Sequence, residues 1–269
     1  MTEKTYNQRK GIRRSDLWKL KRSPAHYKYS TEHPAEPSAA MTFGSAVHCA
    51  ALTPKMFTKE YVVADFDART KEGKALKQQY LDEGKVMLTR DQGEQIDGMV
   101  AAIRANPFAR RLLTGKHETA HFWFDPETGE KCKCKTDCET DINGVHYIVD
   151  LKTCQNAETD AFMKDAISYG YFMQAAMYSQ GVKCHTGKNS VFVFVAVEKD
   201  PPYAVNVIQC GEDEIRLGMN GDKYGRVPGF RTLIQLFHKC RTEKKWPGYE
   251  GFDNTIAEIN LPKWLKDEE

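Results

Sequence analysis

The chain has 269 residues, of which 41% are apolar and 28% charged, and its formal net charge is +2. That composition is that of a folded globular protein able to bury a substantial core. So small a net charge gives no strong nucleic-acid field and leaves room only for a local basic groove. No apolar run is long enough to span a bilayer, and the polar opening from Met1 to Lys10 lacks a signal-peptide core. Eight cysteines are scattered through the chain, so reduced thiols in a cytoplasmic protein are expected rather than a disulfide framework. With no repeats and no clean linker, residues 1–269 read as one elaborated domain that opens with a basic helical segment.

In that first segment Arg9, Lys10, Arg13, Arg14, Lys19, Lys21 and Arg22 face only Glu3 and Asp16. Ser15 suits the N-cap of a short helix from Asp16 to Lys21, and Ser23-Pro24 ends it. Basic residues interleaved with Trp18, Tyr27 and Tyr29 fit a nucleic-acid contact, against the ordinary alternative of a solvated charged face. Residues 30–40, rich in proline, alanine and glutamate, read as a loop. Thr42 to Leu52 reads as a small-residue helix capped by Thr42, with Gly44 and His48 one turn apart on one face. Alone, such a histidine is a core residue; beside a carboxylate pair its imidazole becomes a metal ligand. Residues 53–88 are polar, with Phe57, Tyr61, Phe66 and Tyr80 as scattered anchors and no functional signal. Thr89 to Ala105 is an amphipathic helix: Thr89 caps it, and Ile96, Met99, Val100 and Ile103 form its apolar stripe. Asn106-Pro107 stops it, and Arg110 and Arg111 lie on the short segment that follows.

An antiparallel meander comes next. Glu118 to Phe124 is a strand, Asp125 to Gly129 a turn, Lys131 to Glu139 a second strand, and Val145 to Val149 a buried third. Asn143-Gly144 marks the last hairpin, because both turn positions want φ > 0. Asp137 falls within the first arm of that hairpin and Asp150 at the end of the second, so both carboxylates reach one sheet edge. Asp150 and Lys152, two apart on a strand, point to the same face. Two carboxylates and water are typical ligands of Mg²⁺. Such an ion polarises a phosphoryl oxygen and acidifies a bound water, while a lysine offsets the developing charge. The pattern points to metal-assisted phosphodiester cleavage, with Glu118 in reach of a second metal. An Asp-x-Lys by itself is a turn carboxylate and a surface lysine; the hairpin, the apolar strand and His48 favour the catalytic reading. Cys132, Cys134 and Cys138 bunch in the same meander. No fourth ligand is evident to complete a zinc or iron–sulfur site with His121 or His146, so the thiols read as small buried fillers.

Ala157 to Gln180 looks helical, with Gly170 as a break, and Tyr171, Gln174 and Tyr178 recur on one face. A buried glutamine needs a partner, and a phosphate or metal-bound water would serve. Ser190 to Val197 is an apolar strand with both faces covered, and Tyr203 to Gln209 a further strand. Glu212 to Lys239 carries a helical pattern interrupted at Gly225 and Pro228-Gly229, and Trp246-Pro-Gly-Tyr249 precedes an acidic tail.

Taken together, Gly44-x-x-x-His48, Glu118, Asp137, Asp150-x-Lys152 and Gln174-x-x-x-Tyr178 resemble the nuclease motifs of the PD-(D/E)xK superfamily. Their order is similar to that in RecB-type nuclease domains, lambda-exonuclease-like enzymes and exonuclease VIII (RecE). Ser23-Pro-Ala-His-Tyr27, Asp150-Leu-Lys-Thr153 and Trp246-Pro-Gly-Tyr249 bring the resemblance nearest to the exonuclease VIII C-terminal nuclease domain. The resemblance implies an α/β, restriction-endonuclease-like core, a central mixed β-sheet flanked by helices. It implies His48, Asp137 and Asp150 as metal ligands with the Leu151 carbonyl assisting, and Glu118 at a second metal. Lys152 would be the catalytic lysine, and Gln174 and Tyr178 would support the site or contact DNA. The implied cofactor is Mg²⁺, with Mn²⁺ as substitute, at two ions per site.

The implied activity is degradation of linear duplex DNA from its 5′ ends, leaving 3′ single strands for an annealing partner in phage recombination. Relatives form rings that enclose DNA, so a homo-oligomer is expected, and with no ATPase motif the enzyme would stand alone. Arg13, Arg14, Lys19 and Arg22 are the candidate DNA-binding surface, and Arg110 and Arg111 offer forked hydrogen bonds to a 5′ phosphate. Two rivals remain: a structure- or sequence-selective endonuclease of the same superfamily, and a DNA-binding module without catalysis. The intact Asp-Asp-x-Lys set argues against the latter.

Overall fold

Two turn residues set the register of the sheet that everything else packs against. In the computed structural model, which describes residues 3–64, 69–256 and 258, Asn143 and Gly144 have φ of 51° and 80°. Both are left-handed, the twist a two-residue hairpin needs. The elements in chain order are helices α1 (Glu3–Gln8), α2 (Arg14–Leu20), α3 (Pro24–Glu32), α4 (Ala39–Leu52) and α5 (Pro54–Glu60), strand β1 (Tyr61–Val63), α6 (Lys71–Asp82), β2 (Val86–Leu88), α7 (Arg90–Ala105) and α8 (Pro107–Leu112). The meander β3 (Lys116–Phe124), β4 (Lys131–Ile142) and β5 (Val145–Cys154) follows. Then come α9 (Thr159–Tyr169), α10 (Tyr171–Thr186), β6 (Ser190–Glu198), β7 (Val205–Gln209), α11 (Glu212–Asn220) and α12 (Phe230–Glu243).

The main sheet has five strands in the order β3-β4-β5-β6-β7. The β5–β6 pair is parallel and the others antiparallel, so the sheet is mixed, as expected for an α/β restriction-endonuclease-like core. A parallel pair needs a crossover, and α9 and α10 supply it. Gly170, at φ 72°, separates those helices where the sequence placed the break. Trp18 fills the space where a side chain at that position would go.

Both faces of β6 are covered, which is why its sequence hardly alternates. Val195 and Val197 pack with α4 and α7, while Phe192, Phe194 and Ala196 pack with α9 and α10. A third cluster joins α2 and α12 to Trp123, Cys132, Cys134, Met173 and Met177. Cys132 and Cys134 therefore serve as small apolar side chains there, and Cys138 does so beneath α4 and α7.

The β4–β5 ladder stops at the Cys138–Val149 pair, and the strands then part. The N-terminal segment enters the widening gap. Ile12 bridges to Cys132, its N–H donating to the Lys131 carbonyl at 2.8 Å and its carbonyl accepting from the Lys133 N–H at 2.9 Å. Lys133, only 4% exposed, donates its ammonium to the carbonyls of Tyr6 at 2.9 Å and Arg9 at 2.6 Å. A buried charge is tolerable when main-chain acceptors replace water in this way.

Several local boundaries differ from the sequence reading. Helix α2 starts at Arg14, and the Asp16 carboxylate, not Ser15, takes the N–H of its cap residue Arg13 at 3.0 Å. Ser23 begins a helix instead of only ending one: its hydroxyl accepts from His26 N–H, and Pro24 needs no donor in the first turn. The loop read over 30–40 shrinks from both sides, since α3 runs to Glu32 and Ser38, not Thr42, caps α4. Residues 53–88 hold α5, α6 and the parallel pair β1–β2, none of which the sequence showed. Phe66 and the tail from 259 onward lie outside the described residues. Among those described, no helix is long and apolar enough to cross a membrane.

Helices α10 and α11 meet at Gly218, where an added Cβ would overlap the backbone carbonyl of Phe172. Helix propensity alone favours Gly218→Ala by about 1 kcal/mol. Overpacking against rigid backbone costs roughly 1–3 kcal/mol. The substitution is expected to lower the melting temperature by a few degrees in a circular-dichroism melt. A raised melting temperature would mean the helices are free to separate.

Candidate active site

The site lies where β4 and β5 part. Beyond the last ladder pair the Leu151 N–H has no β4 carbonyl, and Asp137 Oδ2 accepts it at 2.9 Å. Across from it Asp150 is almost wholly buried, and both its oxygens are engaged. Lys152 Nζ donates to Oδ2 and Gln174 Nε2 to Oδ1, and Lys152 Nζ also lies 3.3 Å from Gln174 Oε1. The strand period puts Asp150 and Lys152 on one face, and α10 brings Gln174 over them. The ammonium also sits 4.8 Å from the centre of the Tyr171 ring, a cation–π contact that holds it from a third side.

Helix α4 delivers His48, whose Nδ1 is 3.3 Å from Asp137 Oδ2 and which also bonds the Leu151 backbone. Burial, and then the Lys152 charge, push the imidazole down to about 4. It is therefore neutral near pH 7, the form that can ligate. Burial and the neighbouring Asp150 push the Asp137 carboxyl well above its ordinary range, against the opposing pull of Lys152. Gly44 contributes no steric necessity here, since a Cβ would meet Thr153 Oγ1 at an ordinary 3.8 Å.

Glu118 sits at the margin. It falls between the His117–Cys138 and Thr119–Thr136 pairs and has φ 53°, a left-handed value that costs a side-chain-bearing residue on the order of 1–3 kcal/mol. Its carboxylate pairs with Lys135 and adds negative potential at His48 and Asp137. Tyr178, one turn beyond Gln174, has its hydroxyl pKa raised well above the ordinary value by burial, then by Cys134 and Asp150.

Of the four basic residues expected as a DNA surface and the two expected at a 5′ phosphate, the structure brings only Arg14 to the site. Its Nη2 donates to the Tyr169 carbonyl, and its charge is coupled to Tyr178, Asp150 and Tyr171. Arg13 is turned onto Asp16 at 3.1 Å, and Arg22 Nε onto the Tyr249 hydroxyl at 3.2 Å. Lys19, Arg110 and Arg111 are exposed, the first on α2 and the other two on α8. Tyr171 was legible only as part of an aromatic stripe; its spacing of three from Gln174 was the signal that it shares the active face.

The donors present are two carboxylates, a neutral imidazole and a backbone carbonyl, with a third carboxylate at the edge. Among the described residues no three His, Cys, Asp or Glu side chains form a ready-made metal cluster, because Asp150 is turned onto Lys152 and Gln174. Burial first, and then the Asp150 charge, nonetheless disfavour the ionised Asp137, and the one nearby lysine does not offset them. In donor type and in charge the residues fit a hard divalent cation.

A mixed sheet parted at its centre, with Asp137, Asp150 and Lys152 at the parting and a glutamine helix above, defines the PD-(D/E)xK class of nucleases. The family model described as a PDDEXK-like domain of unknown function, DUF3799, matches residues 14–257, and the chain belongs to that family. Its fold is similar to that of a Eubacterium rectale protein provisionally described as an exonuclease, with a TM-score of 0.63 at 16% identity, covering 97% of this chain and 96% of that one. A phage-related exonuclease from Haemophilus somnus covers 90% of this chain and 100% of its own at 15% identity, but its TM-score of 0.33 is too low to carry an argument. No curated protein matches the chain.

If Asp137 is held against Asp150 for a purpose other than stability, relieving the repulsion should stabilise the fold. Asp137→Asn keeps an oxygen for the Leu151 N–H and removes the charge. In metal-free buffer its melting temperature is expected to match or exceed that of the parent by a few degrees, read by calorimetry. A clear loss would show that the carboxylate charge itself supports the fold.

Proposed function

We propose that the chain is a metal-dependent exodeoxyribonuclease that degrades linear duplex DNA from 5′ ends and leaves 3′ single strands. The observation that carries this reading is the closed set of contacts joining Asp150, Lys152 and Gln174, beside Asp137 and His48 at the parted strands. In this reading His48, Asp137, Asp150 and the Leu151 carbonyl hold one divalent ion and Glu118 serves a second, with Mg²⁺ preferred and Mn²⁺ able to replace it. Such ions supply Lewis acidity toward a phosphoryl oxygen. The protein's own residues do the rest. Gln174 fixes the Asp150 carboxylate, and Tyr171 and Gln174 keep the Lys152 ammonium where negative charge grows on the phosphoryl group. Tyr178 closes the face of α10 toward the acids. The basic segment from Arg13 to Arg22, with Arg110 and Arg111, holds the DNA backbone.

The choice of exonuclease rests on the resemblance to exonuclease VIII and on the description of the Eubacterium rectale protein. The resemblance also leads us to propose a ring-shaped homo-oligomer around DNA and an annealing protein as partner, and the sequence pattern one domain over residues 1–269 and a cytoplasmic location.

The test compares end-labelled linear duplex with closed circular DNA, with and without Mg²⁺. Linear DNA is expected to shorten from its 5′ ends only with the ion, and closed circles to survive. Asp150→Ala and Lys152→Ala should each slow cleavage roughly 10²–10³-fold, the usual loss for one transition-state group, while staying folded. Nicking of closed circles as fast as linear DNA is consumed would replace the exonuclease reading with the endonuclease one. Folded variants that cut normally would remove these residues from the reaction.

A further inference from the structure

Arg14 opens α2 two residues after Ile12, the residue that bridges to β4. Its place is therefore set by the sheet: Lys133 gathers the carbonyls of Tyr6, Asn7 and Arg9, and Ile12 pairs across Cys132. The strapped segment delivers a guanidinium against the reaction centre. One of its nitrogens is spent on the Tyr169 carbonyl. Its Nε is buried and, among the described residues, has no hydrogen-bond partner. Asp150 is the carboxylate whose charge acts on Arg14, yet both Asp150 oxygens already accept from Lys152 and Gln174. The Trp18 ring, 5.7 Å away, offers only a long cation–π contact and no hydrogen-bond partner for Nε.

A guanidinium has five N–H donors in a planar fork and stays charged when buried. Leaving such a donor dry and unpaired is unfavourable, and buried orphans of this kind ask for an explanation. The acceptor that fits must be anionic, must come from outside the chain and must reach a position beside Asp150 and Lys152. A phosphodiester group meets all three conditions and matches the fork geometrically. The other basic residues differ from Arg14 in this respect, being exposed or turned onto other side chains.

We infer that Arg14 is a phosphate-binding residue within the reaction centre, holding the phosphodiester group on which the site acts. This rests on the nuclease reading of the same site. The N-terminal segment is then a structural part of the active site, anchored through Lys133 and Ile12, and not merely a basic surface.

Two readouts test the inference. The first is metal-free binding of a short fluorescent DNA duplex, followed by anisotropy in EDTA over a series of salt concentrations. Arg14→Gln is expected to weaken binding and to reduce the salt slope by about one ion. The second is single-turnover cleavage at saturating duplex with Mg²⁺, where the same variant is expected to be roughly 10²-fold slower. A contact outside the reaction centre would change the DNA concentration needed and leave the saturated rate intact. Should Arg14→Gln melt below the assay temperature, Arg14→Lys, which keeps the charge and loses the fork, carries the saturated-cleavage comparison. Saturated cleavage equal to the parent's overturns the inference and leaves the nuclease reading standing. A parent that cuts no DNA, but whose metal-free binding depends on Arg14, overturns the nuclease reading and leaves the anion site standing.

Discussion

The parting of β4 from β5 beyond Cys138 and Val149 is the constraint on which the rest of the structure depends. Had the ladder continued, Leu151 N–H would have bonded a strand carbonyl and Asp137 would have been one more ladder residue. Parting leaves a buried donor, and a buried donor must be met. Asp137 meets it, and is thereby held beside Asp150 at the inner end of the gap. The outer end is closed by Ile12 and the segment that Lys133 binds. One irregularity in the sheet thus fixes a carboxylate pair and also decides where the N-terminal segment runs.

The resulting site is under electrostatic tension. Two acids share a desolvated space with one ammonium, and the pressure shows in Asp137. Glu118 adds to it from a backbone conformation that its side chain disfavours. A protein selected for stability alone would have relaxed both features. Strain kept next to a cluster of titratable groups is the usual mark of a working site. By contrast, Glu139, a buried acid on the same strand β4, is met at Oε1 by His121 at 2.5 Å and Thr136 at 2.5 Å, and its carboxyl stays below the ordinary range despite burial.

What the sequence disclosed follows from the range of the interaction. Asn143-Gly144 carries its own φ requirement, so the hairpin and its register were readable from two residues. The Asp150–Lys152 relation needs only the strand period, and Thr89 with Gln92 forms a complete capping box. Ser15 and Thr42 misled because a cap is chosen among several nearby hydroxyls and acids by tertiary packing, and Asp16 and Ser38 won. Strands β1 and β2 escaped notice because each has three residues and finds its partner only across α6. Ser23-Pro24 and Trp246-Pro-Gly-Tyr249 drew notice separately and prove to be one unit. Ala25 N–H donates to the Pro247 carbonyl at 3.0 Å, and Tyr27 stacks on Trp246 at 5.3 Å. The special position of Arg14 depended on the strap and on Tyr169, which no local pattern encodes.

The contacts of the site span very unequal stretches of chain. Asp137 and Leu151 are 14 residues apart, Asp150 and Gln174 are 24, and Arg14 and Tyr169 are 155. Loop-closure entropy rises with that separation, so the acidic hairpin is the cheapest part to form and the guanidinium contact the dearest. A chain emerging from synthesis can pair its carboxylates early. Arg14 reaches Tyr169 only once the sheet, the strap and the crossover helices are all in place. The reaction centre is thereby tied to completion of the fold, and a half-folded chain carries acids without their arginine.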